Sequence, residues 1–145
     1  VLLAALEATP EAKLLAVQDG ARPLVTPVLI DRVVEAAARC GAAAPAIPMK
    51  DTIKTVTAEG TVTGTPDRSI LRAVQTPQVF EADLLKAALQ SALENEIPVT
   101  DDCSAVERLG KVVYLIDGNE ENLKITTPMD LVIAEAILAE REARR

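Results

Sequence analysis

Apolar and polar positions follow two periods along this chain, and the switches between them mark its elements. Val1 to Ala8 has apolar residues at helical spacing and reads as a helical fragment, closed by a turn at Thr9-Pro10. Lys13-Leu14-Leu15-Ala16-Val17 is a short apolar run of the buried-strand kind. It leads directly into a loop, Asp19-Gly20-Ala21-Arg22-Pro23. Thr26 fits a helix N-cap with Pro27 in the first position, and Ile30, Val33, Val34 and Ala37 keep one helical face apolar as far as Gly41. Ala42 to Ile47 reads as a second buried strand. Strand, helix and strand in that order make a βαβ unit, whose parallel strands require a right-handed crossover.

The pattern then changes. Asp51 to Thr65 is rich in Thr and Val around Glu59-Gly60, which predicts an exposed hairpin that needs a partner surface. Leu71 to Phe80 reads as a strand in which Pro77 removes a ladder donor, placing that end at an edge or in a loop. Asp83 to Leu93 is helical, with Leu84, Leu85, Ala88 and Leu89 on one side. Thr100-Asp101-Asp102 opens another helix, stopped at Gly110, and Val112 to Ile116 is a strand running into Asp117-Gly118. Thr127-Pro128-Met129-Asp130 combines a cap, a first-turn proline and an acid at the third position, so a last helix starts there and ends in basic residues that suit its dipole. There is no internal repeat or linker. The expectation is one α/β domain over residues 1–145 with an arm projecting at about 50–70.

Composition narrows the chemistry. Across 145 residues only Phe80 and Tyr114 are aromatic, which leaves too little for base-stacking platforms, and a net charge of −7 argues against a broad phosphate-binding surface. Nucleic acid is therefore not an expected partner. No apolar run reaches the ~20 residues of a membrane span. There is no histidine, and Cys40 and Cys103 stand far apart, so neither a structural zinc site nor a Ser-His or Cys-His pair can be assembled from this chain. Both thiols read as small apolar side chains in a reducing cytoplasm. The chain begins at Val1, without Met and inside a helix, and reads as cut at its N-terminus.

Candidate chemistry gathers in the turns. Asp19 directly follows a buried strand, where open parallel sheets place ligands, and its hard oxygens suit magnesium bound with phosphates; capping the turn with Gly20 satisfies the same spacing. Arg22 is a planar donor suited to phosphate, or a salt-bridged surface arginine. Lys124, just before the last helix, can reach the loops at the sheet edge, and is equally a solvated lysine. Thr100-Asp101-Asp102 is explained first as helix capping. Thr52 and Arg68 belong to the arm, and Arg68 sits among charges that an ordinary hairpin would also carry.

Taken in order, the strings VQDGARPLVTP, PMKDTIKTV, PDRSILRAVQTPQVF, TDDCSAVERLGK and GNEENLKITTPMDLVIAE closely resemble the 2-C-methyl-D-erythritol 4-phosphate cytidylyltransferases of the non-mevalonate isoprenoid pathway. The resemblance covers nearly the whole chain. It implies a Rossmann-like nucleotidyltransferase sheet with helices on both faces and a projecting β-arm, and it aligns this chain with the C-terminal two-thirds of that domain, without the first strands. It implies that Asp19 holds Mg2+ and that Arg22 contacts nucleotide or phosphate. Thr52, Thr76 and Thr100 would line the substrates, and Lys124 and Arg68 would be catalytic, orienting the methylerythritol phosphate for attack on CTP. Members pair as homodimers through the arm, so Arg68 would act in the partner's site.

Three departures stand out. Gln18 occupies a position often held by histidine, and Glu120 and Glu121 both lie near the place of a second acidic metal ligand. The glycine-rich loop that carries an arginine and a lysine in the family has no counterpart in these residues, so this chain by itself is expected to be inactive. Two other readings remain: a ribitol 5-phosphate cytidylyltransferase, which shares the TPQ and KITTP strings but not DTIK or Asp67-Arg68-Ser69, and a non-catalytic dimerising remnant.

Overall fold

The computed structural model describes residues 2–7 and 11–144; the turn expected at Thr9-Pro10 lies outside them. Helix α1 (Leu2–Glu7) precedes strand β1 (Leu14–Val17), helix α2 (Pro27–Cys40) and strand β2 (Ala42–Pro48). The arm follows as β3 (Thr55–Val56) and β4 (Val62–Gly64), and the chain returns through β5 (Arg72–Val74) and β6 (Gln78–Glu81). Helices α3 (Ala82–Glu94) and α4 (Asp102–Arg108), strand β7 (Tyr114–Asp117) and helix α5 (Pro128–Ala143) complete it. Among the described residues no helix is long and apolar enough to cross a membrane.

Helices cover both faces of one sheet, as expected, and the small residues of β2 explain how. Ala42, Ala43 and Ala44 are all fully buried. Successive strand side chains point to opposite faces, so Ala43, with Val79, packs against Leu29, Val33, Ala36 and Ala37 of α2. Ala42, Ala44 and Phe80 pack on the other face against Leu85, Ala88 and Leu89 of α3 and Val106 of α4. The apolar face of α2 is thus turned from the Ile30/Val34 side expected to the Leu29/Ala36 side, leaving Ile30 and Val34 half-buried. The caps behave as the sequence suggests: Thr26 accepts from the Leu29 amide, Gly41 closes α2 at φ 85°, and Thr127 forms a reciprocal capping box with Asp130.

The segment read as one strand, Leu71 to Phe80, is split. Along the same edge of β2, Ala46 faces Val74, whereas Ala43 faces Val79. Two residues of β2 therefore oppose the four residues 75–78, a bulge with two extra residues. Pro77 lies inside this bulge, in the loop between β5 and β6, which is the second of the two places expected for it. Pro45 faces it from β2: its carbonyl accepts from the Gln75 amide at 2.7 Å, and its missing N–H points the same way, so no ladder bond to β7 is lost. Strand β6 also pairs antiparallel with β1, and β7 runs parallel to β2 on the far edge. Strands β1 and β2 are therefore parallel, as the βαβ reading requires, but β6 lies between them. The hairpin β3–β4 forms a separate two-stranded sheet. Helix α5 buries Ala134 and leaves Leu131, Val132 and Ile133 exposed.

Candidate active site

The parallel strands β1, β2 and β7 all end on one side of the molecule, at Val17, Pro48 and Asp117. A cleft of about 620 Å³ opens beside the β1 end, lined by residues 17–20 and Arg22, by residues 74–76 and Gln78, by residues 99–102 and by Lys124. A larger hollow, about 830 Å³, lies at the opposite ends of the strands, where Lys13 and Arg39 are mixed with Glu11, Glu81 and Asp83. Ligands of open α/β sheets sit at strand C-terminal ends, which favours the smaller cleft.

Asp19 is the centre of the cleft. Its Oδ2 accepts from the Arg22 Nε at 3.3 Å and pairs with the Lys124 ammonium at 3.1 Å. The Asp19 amide donates to the Thr76 hydroxyl at 3.1 Å, and the Arg22 amide to the Asp19 carbonyl at 3.0 Å, so the loop after β1 is closed as a turn and pinned to the bulge. Arg22 is only 11% exposed. Its guanidinium also donates to the Asn122 carbonyl at 2.7 Å and, at 3.5 Å, to that of Val74. Lys124 is 48% exposed and keeps its reach into the cleft. Gln18, the departure at the histidine position, donates to the backbone carbonyls of Asp19 and Arg22 and so braces the same turn.

The far wall is the start of α4. Asp101 caps it, accepting from the Ser104 amide at 2.9 Å while Ser104 Oγ accepts from the Asp101 amide at 3.2 Å. Thr100 precedes the cap and lines the cleft. Asp102 is raised above its ordinary pKa, first by burial and then by the neighbouring Asp101 and Asp19 charges. Burial pushes the Cys103 thiol far above its usual range, which removes it as a nucleophile.

The structure therefore brings Asp19, Arg22, Thr76, Thr100 and Lys124 together, and leaves Thr52 and Arg68 out of this chain's own cleft. Arg68 donates to the Lys50 carbonyl at 2.7 Å on the arm. Glu120 and Glu121 do not join Asp19: Glu120 pairs with Lys50 at 2.7 Å and Glu121 with Arg141 at 2.8 Å, and both line a separate hollow with Thr26 and Arg32. Among the described residues no three His, Cys, Asp or Glu side chains form a metal cluster.

Sequence reasoning missed three buried polar residues, Gln75 and Gln78 in the wall of the cleft and Asn122 beside them. Gln78 clamps α4, donating to Asp101 Oδ2 at 2.8 Å and accepting from the Cys103 amide at 3.0 Å. The only signal in the sequence was two glutamines flanking Thr76-Pro77 within a segment read as a strand; for Asn122, between turn residues, there was none. Gly118 belongs with them, since a Cβ there would lie 2.5 Å from Gln75 Oε1 and 3.2 Å from the Ala46 backbone. Gly118→Ala is expected to destabilise the protein by about 1–3 kcal/mol through overpacking, measured as a lower urea midpoint at unchanged m-value.

Fold and cleft together define the class: an α/β domain with helices on both faces of its sheet and a carboxylate, a lysine and an arginine gathered where its parallel strands end. The family model of 2-C-methyl-D-erythritol 4-phosphate cytidylyltransferase matches residues 1–140, and the chain belongs to that family. It is 50% identical over 131 residues to the cytidylyltransferase of that name from Desulforamulus reducens, covering 90% of this chain and 56% of the relative. With the one from Nocardia farcinica it shares 51% over 141 residues, covering 97% and 60%. The crystal structure of 2-C-methyl-D-erythritol 4-phosphate cytidylyltransferase from Thermus thermophilus matches with a TM-score of 0.86 at 38% identity, covering 95% of this chain and 67% of that one. The chain thus spans somewhat over half the length of the curated relatives it matches.

Proposed function

We propose that the protein transfers a cytidylyl group from CTP to the phosphate of 2-C-methyl-D-erythritol 4-phosphate, releasing pyrophosphate and forming 4-diphosphocytidyl-2-C-methyl-D-erythritol for isoprenoid synthesis. The observation that carries this reading is the convergence of Asp19, Arg22, Thr76, Thr100 and Lys124 on one cleft in a chain of this family. An oxygen of the acceptor phosphate attacks the α-phosphorus of CTP; a P–O bond forms there, the bond to the bridging oxygen breaks, and pyrophosphate leaves with the electron pair. Both reactants are anions and no enzyme-bound intermediate is needed. The protein's part is positioning and charge stabilisation.

Lys124 orients the acceptor phosphate, as its half-exposed ammonium allows. Arg22 commits most of its donors to protein acceptors, so it holds Asp19 in place and turns its remaining N–H groups to phosphate. The Thr76 hydroxyl, which accepts from Asp19, has its own proton to donate. A magnesium ion fits at Asp19: both cations occupy Oδ2, leaving Oδ1 as its ligand, and Mg2+ is ordinarily held by one or two carboxylates with substrate phosphates and water. When bound, it would neutralise charge developing on the phosphates.

The reading includes a homodimer clasped through the arm and a cytoplasmic location. The first is supported by a hairpin that is marginal alone and carries exposed Val56 and Val62, the second by two free cysteines. Incubating the full-length protein with CTP, methylerythritol phosphate and Mg2+ should give a diphosphodiester resonance in the phosphorus spectrum. Its absence under these conditions defeats the proposal. Ribitol 5-phosphate should react at least about tenfold less efficiently, because a pocket built to bond one polyol leaves groups unpaired with another. The same assay on the 145-residue polypeptide alone tests the expectation that it does not turn over.

A further inference from the structure

Two buried polar side chains at the floor of the cleft take no part in this chemistry: Gln75, 4% exposed, and Asn122, 1% exposed. Gln75 comes from the bulge and reaches across to the segment that joins β7 to α5. Its Nε2 donates to the Asn119 carbonyl at 2.8 Å and to that of Asn122 at 3.3 Å, and its Oε1 accepts from the Asn119 amide at 3.2 Å. Asn122 answers from the other side, with Nδ2 donating to the Thr76 carbonyl at 2.9 Å and towards Gln75 Oε1 at 3.5 Å. Exchanging its oxygen and nitrogen would set Oδ1 against those two acceptors, so the amide has one workable orientation.

Asp19, Arg22 and Lys124 all connect to this pair. The Asn122 carbonyl that takes Gln75 is also the acceptor of the Arg22 guanidinium. Thr76, held through its carbonyl by Asn122, holds the Asp19 amide through its hydroxyl. Lys124 follows Asn122 by two residues, and the next amide, that of Ile125, donates to the Ala21 carbonyl at 2.8 Å. The pair is not an efficient source of stability. Asn122 Oδ1 is buried without a donor, a cost that an apolar residue of similar size would avoid.

We propose that Gln75 and Asn122 are positioning residues: a buried amide pair that fixes residues 118–124 against the bulge and thereby sets the Lys124 ammonium relative to Asp19 and the acceptor phosphate. The proposal rests on the transfer reaction given above. Misplacing a reacting group by about 1 Å costs on the order of 100-fold in rate. In the full-length protein, Asn122→Ala and the near-isosteric Gln75→Glu should each lower kcat/KM for the acceptor by about 30- to 100-fold, with KM for CTP moving less than about threefold. The decisive comparison is the same Asn122 substitution in a Lys124→Ala background. If the pair acts through Lys124, it then costs less than about threefold more.

A merely structural role predicts a lower melting temperature with kcat per folded molecule unchanged, or a loss that multiplies fully with that of Lys124→Ala; either result overturns the proposal. Should Asn122→Ala fail to fold, Gln75→Glu and its double variant carry the test. A wild-type protein that shows no transfer overturns both readings, whereas an active wild type with unaffected variants overturns this one alone.

Discussion

Asp19→Asn is expected to lower kcat for cytidylyl transfer by about 10²–10³-fold, the range seen when a preorganised electrostatic group is removed from a phosphoryl or acyl transfer site. The substitution is chosen because it separates the two readings that the sequence leaves open. A residue that only caps the turn before Gly20 can be Asn as well as Asp, since both accept the same backbone bonds and rank alike at caps. The Asp19 amide would keep its bond to the Thr76 hydroxyl, and an Asn oxygen could still face Arg22. What disappears is one negative charge between two cations, Arg22 and Lys124, that share a single oxygen. Steady-state rates over a magnesium titration check this: the variant should need more Mg2+ and still fall short at saturation. An unchanged kcat at saturating magnesium would reduce Asp19 to a turn residue.

The fold was legible wherever the determinant is local. Thr26-Pro27 and Thr127-Pro128 with Asp130 announce α2 and α5 within four residues, because a cap satisfies its own helix's orphan amides. Asp19, Arg22 and Lys124 were legible for a related reason, as charged residues in the loops after apolar strands, although β1, expected to be buried, is only partly so and β7 is mostly exposed. The break at residues 75–78 was not, because nothing between Leu71 and Phe80 says which residues of β2 they face. The meaning of Pro45 and Pro77 emerges only once both are seen opposite the same gap. The same holds for Gln75 and Asn122, whose bonds span 46 and 47 positions and join two segments that look ordinary separately. Even the face of α2 was off by one position, since periodicity fixes the width of an apolar stripe better than its centre when Leu29, Ile30, Val33 and Val34 are all apolar.

Arg68 gives the other large effect, and its test is a complementation. Arg68→Ala and Lys124→Ala should each reduce turnover by at least about 100-fold, as removal of a positioned cation from phosphate does. Arg68 does not line this chain's own cleft, and its guanidinium is tied to the Lys50 carbonyl at the base of an arm whose Val56, Val62 and Ile70 are exposed. If the arm of one subunit completes the cleft of the next, a dimer of one variant with the other holds one site with both residues intact and one with neither. Random pairing of the two variants in equal amounts makes half the dimers mixed, so about a quarter of wild-type activity should return. Co-expression allows the subunits to mix, and sedimentation confirms that dimers form. A site built from Arg68 and Lys124 of the same chain gives no such recovery, because every cleft then carries one of the two lesions. Dimers that form while activity stays at the level of the single variants would therefore reject sharing, and would require the arm to fold back onto its own subunit for Arg68 to act at all.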